Sequence, residues 1–389
     1  MRRTLAALLL LASACSSSTS PTQLTVVSQN LYLGGDIFSI AFAHTPDEAA
    51  VATYFVWRDV QATNFPARAK VIAAGIAAQN PDVIGLQEVA IWRTGAPVVC
   101  LGDFDAINTP VASTVVYDFL ASLQAELVAL GLQYDVAALT QSFDAELCAV
   151  NPSVGPASAI DVRYTDRDVI LVRKGLATRN VDGGTYATMV EFLIAGTGVK
   201  VPDRRAWNVV EVGKSGSWFR VFETHLEVQE IPTPVGVPGF IFQLGQAGEL
   251  IAAQVNMAIA LDPIPTILIG DMNTQAEQPV TSPLRFTYDF LTGIVPFPDL
   301  GVAEFTPLVG VRAPFSDAWL AANPGVPGLT WGFDPNLVAG TMSQRIDFVL
   351  TWGAGPWTMT TFGATAVTAT TPPLHGSDHL GVAAQLQLP

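Results

Sequence analysis

Short apolar runs that end in polar side chains recur along the chain. Leu24 to Asn30, Asp82 to Val89, Tyr134 to Leu139, Val169 to Arg173, Ala206 to Val212 and Trp218 to Leu226 have strand length and carry many β-branched or aromatic residues. Pro265 to Gly270, Ile346 to Leu350 and Leu380 to Leu386 continue the pattern. Phe65 to Gln79, Val111 to Leu130 and Phe242 to Leu261 are longer and predict helices. Strands outnumber helices, and no fixed repeat is visible, so the pattern predicts an α/β chain with stacked sheets inside and helices outside, layered α/β/β/α.

Composition adds a large core. Of 389 residues, 50% are hydrophobic and 14% charged, and the formal net charge is -15. That balance disfavours a basic groove holding a stable nucleic-acid complex, because such affinity comes from Lys and Arg releasing counterions. It leaves room for acidic sites that gather a divalent cation and act on phosphate.

The first residues have the shape of an export signal. Arg2 and Arg3 precede an apolar run from Leu5 to Leu11, then Ala12-Ser13-Ala14-Cys15. Residues 1–14 read as a signal peptide, and Cys15 resembles the lipidated cysteine of a bacterial lipoprotein, with plain secretion as the alternative. Residues 15–23 then form a Ser/Thr-rich tether. In an exported chain Cys100 and Cys148 are a disulfide pair or two buried thiols. The Pro-rich stretch 231–242 is either an exposed apolar lip that could rest on a membrane or a cover over the core.

Several strand ends carry residues capable of chemistry. After Thr266-Ile267-Leu268-Ile269, Gly270 permits a sharp turn, and Asp271 and Asn273 follow two apart, as for orienting a water or a phosphoryl oxygen. Alone, they read as an Asx turn. Glu88 ends the run Val83 to Gln87 and Asn30 ends Val26 to Gln29, positions that suit a hard cation. His225 is late in its strand, where it is either a core histidine or a proton carrier. Asp347 lies inside an apolar strand and requires a partner, either Arg345 or a histidine. Gly376-Ser377-Asp378-His379 closes the series.

Taken in order, Asn30, Leu86-Gln87-Glu88, Thr224-His225-Leu226, Gly270-Asp271-Met272-Asn273, Asp347 and Ser377-Asp378-His379 resemble the endonuclease/exonuclease/phosphatase superfamily. The resemblance implies a four-layer sandwich of two mainly antiparallel sheets flanked by helices, in one domain over residues 24–389. It implies a metal-dependent phosphoric ester hydrolase using Mg²⁺, or Mn²⁺ or Ca²⁺ in its place. Glu88, Asn30 and Asp378 would hold the metal. Asp271 would activate the attacking water, Asn273 would hold it or a phosphoryl oxygen, His225 and His379 would contact phosphate, and Asp347 would orient His379. Arg167 matches a phosphate-contacting segment, with a surface ion pair as the alternative. A monomeric, exported phosphodiesterase acting on a small or lipid phosphodiester is the leading expectation. A secreted nuclease like DNase I and a surface-anchored binding module without turnover are the alternatives.

Overall fold

The structure, a computed structural model, describes residues 22–387 apart from 195, 232, 234 and 235. The expected signal peptide, Cys15 and the expected tether up to residue 21 lie outside the described residues. Two sheets face each other. The first, of eight strands, runs in the order Gly355–Phe362, Gly381–Gln387, Gln23–Asn30, Val83–Gln87, Ile160–Arg173, Ile91–Gly95, Thr114–Asp118, with Tyr134–Ala149 also paired to Ile160–Arg173. The second, of six, runs Ser316–Asp317, Asp347–Trp352, Thr266–Asp271, Ser217–His225, Ala206–Lys214, Ala177–Thr185. Within these sheets the neighbours Gln23–Asn30 and Val83–Gln87, and Ser217–His225 and Thr266–Asp271, are parallel, and the other pairs are antiparallel.

Alternation along each strand builds the layers, because neighbouring side chains point to opposite faces. Val26, Val83, Ile170, Val221, Ile267, Ile269 and Val349 meet between the sheets. Their sequence neighbours Val27, Ile84 and Leu171 instead pack outward on Val56, Ile72 and Leu123 of the helices Pro46–Ala62, Phe65–Gln79 and Phe119–Ala129. On the far side, Phe222, Leu268 and Phe348 pack on Leu244 of Gly239–Glu249 and on Leu250, Ile251 and Val255, where the helix widens into a π turn. This is the expected α/β/β/α sandwich.

Three local expectations change. The stretch expected as one helix from Val111 to Leu130 is a strand, Thr114–Asp118, followed by a helix. Val115, Val116 and Tyr117 are β-branched or aromatic and favour extension, while the Asp118 carboxylate accepts from the amides of Leu120 and Ala121 and so starts the helix there. The Pro46–Ala62 helix was not expected from the apolar pattern, yet its start carries a capping signal: Thr45 accepts from Glu48 N and Pro46 opens the first turn. In the 231–242 stretch, Ile231 is buried against Val190 and Phe192, with Phe38, Ala41, Val228 and Phe242 packed beside them, and a helix begins at Gly239. Ile231 and Phe242 therefore help cover the core, while Gly236 and Pro238 between them are exposed. Among the described residues no helix is long and apolar enough to cross a membrane. Cys100 and Cys148 are joined as a disulfide, resolving the two readings of that pair.

Candidate active site

The inner faces of both sheets change character along their length. Val26, Ser28 and Asn30 share one face, as do Val221, Glu223 and His225, and Ile269 and Asp271; each set runs from apolar to polar towards the same end of the sandwich. Midway, a buried layer is closed by hydrogen bonds: Gln87 Nε2 donates to Glu223 Oε1 at 2.8 Å, and Asn208 Nδ2 donates to Glu223 Oε2 at 2.9 Å. The functional side chains stand above it.

Register sets three of them in a row. His225 pairs with Asp271 across one ladder, and Asp271 pairs with Asp347 across the next. Gly270 makes the approach possible: its φ is +148°, and a Cβ there would lie 1.9 Å from Thr224 O. Asn273 follows at φ +49°, its N–H donating to Asp271 Oδ1 at 3.0 Å and its Nδ2 to Leu226 O at 2.9 Å. Asn273 Nδ2 also lies 3.1 Å from His225 Nε2.

The first sheet supplies the facing group. Glu88 leaves its strand at φ +54°, a conformation that costs a non-glycine residue about 1–2 kcal/mol. Two charge-assisted bonds offset it: Leu33 N donates to Glu88 Oε2 at 2.6 Å and Asn30 Nδ2 to Oε1 at 3.0 Å. Asn30 Nδ2 also reaches Asp271 Oδ2 at 3.1 Å, linking the sheets. The last motif docks beside them, since Ser377 Oγ donates to Asn30 O and Trp331 Nε1 donates to Asp378 Oδ2.

His379 resolves the ambiguity over Asp347. Their Nδ1 to Oδ2 distance is 2.9 Å, whereas Arg345 bonds to Asp317 at 2.7 Å, so the Arg345 alternative is set aside. Burial disfavours a charged His379, but attraction from Asp347, Asp378 and Asp271 overrides it and holds the imidazole well above its usual range. His225 goes the other way, because burial, then the Arg205 and His379 charges, hold it low. Two histidines with opposite charge preference thus flank Asp271, each with Nε2 3.6 Å from its Oδ2. Burial and the neighbouring Asp347 push Asp271 up to about 7.

Whether the residues fit a cation is decided by their donors. Glu88 and Asp378 offer hard carboxylate oxygens at one side of the site, while Asn30 turns its Nδ2 towards Glu88 and Asp271 and its Oδ1 accepts from Tyr32 N. Asp378 is pushed up to about 6, by burial first, with His379 opposing and Glu88 reinforcing the rise. Two carboxylates that repel one another in a buried cleft suit a divalent ion. Asp271, Asp347 and His379 also bring ligand atoms within 4.8 Å of one another. There Asp347 holds His379 through Nδ1 and leaves its Nε2 facing Asp271, so the three also form a chain that can handle a proton.

Glu88, His225, Asp271, Asn273, Asp378 and His379 line one cleft with about 510 Å³ of room, and Asn30 and Asp347 stand directly behind. Arg167 is not among its lining residues. Its guanidinium bonds to Asp118 at 2.8 Å and to Val89 O, matching the ion-pair alternative. The cleft has a different arginine, Arg205, which contacts the His225 ring nitrogens at 3.2 and 3.4 Å and pairs with Glu227 at 2.9 Å. Nothing local in Arg204-Arg205 distinguishes it, because its partners arrive from a neighbouring strand end. Arg68 also escaped the sequence reading. Fully buried, it donates to the carbonyls of Leu31, Tyr32 and Gly376 and so ties the Asn30 loop to the Asp378 loop.

No family model matches the chain, and no curated protein matches it in sequence. Solved structures do match in fold. An endonuclease/exonuclease/phosphatase family protein from Bacteroides thetaiotaomicron superposes with a TM-score of 0.51 at 16% identity, covering 95% of this chain and 99% of that one. An endonuclease/exonuclease/phosphatase from Beutenbergia cavernae gives 0.50 at 19% identity over 94% of this chain and 72% of its own. Truncated TDP2 from Caenorhabditis elegans gives 0.48 at 18% identity over 94% and 97%.

Proposed function

We propose, from the premise that this chain has the endonuclease/exonuclease/phosphatase fold, that it is an exported, Mg²⁺-dependent phosphoester hydrolase. The observation that carries the reading is the convergence of Asp271, Asn273, His225 and His379 with Glu88, Asn30 and Asp378 at one end of two facing sheets, joined through the Asn30 amide.

The ester phosphate sits between the two histidines. Asp271, whose carboxylate is fixed by the Asn273 N–H and the Asn30 amide, accepts a proton from the attacking water. The Asn273 side chain holds that water or a phosphoryl oxygen. His379, kept charged by Asp347, donates towards the phosphoryl group as negative charge grows on it, and neutral His225 flanks the other side, its ring nitrogens facing the Asn273 amide and the Arg205 guanidinium. Glu88 and Asp378 would hold the cation, with Asn30 positioning Glu88 through its Nδ2, and the cation when bound would offset charge on a phosphoryl oxygen.

A small or lipid phosphodiester is favoured over DNA. Arg205 is the lone Lys or Arg among the cleft-lining residues, which include Asp36, Glu88, Asp166, Asp203, Glu230, Asp271 and Asp378. Such a surface repels a polyanion. Export and lipidation rest on residues 1–15, and the disulfide is consistent with an oxidising compartment. Hydrolysis of bis-p-nitrophenyl phosphate with and without EDTA, run beside plasmid nicking, tests the reading. EDTA-sensitive ester hydrolysis without nicking is expected. Plasmid cleavage at low enzyme concentration would favour the nuclease alternative, and no turnover of any phosphoester would remove the enzyme reading.

A further inference from the structure

Beside the phosphate cleft the chain encloses a second, apolar pocket. Ile37, Phe38, Phe143, Tyr164 and Asp203 line both, so the two spaces share a wall. Beyond that wall the pocket is bounded by Ile40, Val56, Trp92, Ala145, Val162 and Val201, among others. It lies between the first sheet, the short helix Phe38–Ala41 and the hairpin of Val190–Leu193 with Lys200–Asp203.

The pocket offers little to a polar guest. Thr53 Oγ1 already donates to Ala49 O and Trp92 Nε1 to Leu33 O, which leaves Asp203, facing Arg205, as its acidic edge. Beyond that edge a nucleobase would bury its donors and acceptors against aliphatic and aromatic side chains, at about 1–3 kcal/mol for each left unpaired. Size narrows the choice further. The cavity holds about 60 Å³, against roughly 150 Å³ for a cavity that takes up benzene. That leaves room for a short alkyl group and less than a ring takes up.

The seam carries a second signal. Tyr164 Oη and Arg205 Nε are buried and make no hydrogen bond within the described residues. Tyr164 is held in place by stacking on Trp92 at 4.6 Å between ring centroids. Two unsatisfied donors at the border between a phosphate site and an apolar pocket suit a ligand that is polar at that point and apolar beyond it.

We infer that this pocket takes a short alkyl or acyl arm carried by the phosphoester, so that the enzyme selects amphiphilic esters over nucleotides; the inference rests on the phosphoester reading of the adjoining cleft. Ile37, Phe38 and Ala41, all half-buried, form the lip through which the arm enters.

The test uses methyl-, butyl-, hexyl- and phenylphosphonate, which are not hydrolysed, titrated into the full mature protein with MgCl₂ by calorimetry. Affinity is expected to rise about fourfold per added methylene until the pocket is full, with phenylphosphonate no better than methylphosphonate. Ala145→Leu, which fills the pocket from the first sheet, removes the gain with chain length and leaves methylphosphonate affinity unchanged. Val201→Phe does the same from the hairpin should the first variant fail to fold. Chain-independent binding in the wild type, a gain that survives both substitutions, or a larger gain from phenyl than from butyl would each overturn the alkyl assignment while leaving the phosphate site intact. Failure of every phosphonate to bind would instead count against the phosphoester reading and remove the pocket with it.

Discussion

Asp347→Asn isolates the contribution of one buried charge. Asp347 accepts from His379 Nδ1 at 2.9 Å, and its other oxygen, Oδ1, has no partner. An asparagine keeps the shape and can still accept that bond, so the ring keeps its orientation and loses the facing charge. A hydrogen bond to a charged partner contributes about 1.5–3 kcal/mol. At about 1.4 kcal/mol per tenfold in rate, the loss corresponds to roughly 10- to 100-fold in kcat, with KM little changed. His379→Ala should cost more, about 10²–10⁴, because the proton donor itself is removed. If Asp347 acts through His379, the double variant will be no slower than His379→Ala alone. The assay is steady-state hydrolysis of bis-p-nitrophenyl phosphate, with circular dichroism confirming that each variant is folded. Full activity in Asp347→Asn, or additive losses in the double variant, would refute the relay.

Three further outcomes follow from the structure. Gly270→Ala must place a Cβ 1.9 Å from Thr224 O at a φ of +148°, so a stability loss of about 3 kcal/mol or more is expected as a lower midpoint in thermal unfolding. Reducing Cys100–Cys148 opens a loop with a sequence separation of 48, which lowers stability by about 4 kcal/mol in the chain-entropy estimate, and urea unfolding with and without reductant measures it. Glu223 is pushed from 4.5 up to about 8, chiefly by burial, while the Asn208 and Gln87 bonds pull the other way. Between those values the folded state binds a proton that the unfolded state has released, so this group's contribution to stability falls as pH rises from 4.5 through about 8. Glu223→Gln should flatten the pH dependence of urea midpoints over that window, and an unchanged slope would show that Glu223 is ionised in the fold.

What the sequence revealed depended on how local the cause was. Phe65–Gln79 was legible end to end because its periodic Ile and Ala positions and its Asn64 cap lie within the helix or next to it. Asp271, Asn273 and Glu88 stood out as polar residues at the ends of apolar runs, but each alone read as a turn or a solvated strand end, and it was their order along the chain with His225 and Ser377-Asp378-His379 that marked them as one set. The helix Pro46–Ala62 was missed although its buried Ala49, Ala50, Thr53, Val56, Trp57 and Val60 fall at helical spacing, because Ala and Thr on that face are weakly apolar, and the Thr45 to Glu48 cap was also there to be read. Arg167 was expected at the cleft and Arg205 was not, because both are placed by partners far along the chain: Asp118 holds the first away from it, while Glu227 and His225 surround the second at its wall. The partner of Asp347 was left open for a related reason. Two-residue spacing allowed Arg345, but Arg345 is held by Asp317 and the loop after Gly376 delivers His379.

In the proposed reaction, water directed by Asp271 attacks phosphorus. Hydrolysis of bis-p-nitrophenyl phosphate in ¹⁸O-labelled water, read by mass spectrometry of both products, tests it most directly. The account predicts the label in p-nitrophenyl phosphate and none in p-nitrophenol, with turnover lost in Asp271→Asn and on adding EDTA. Label in the phenol, or labelled phosphate formed as fast by Asp271→Asn, would contradict it.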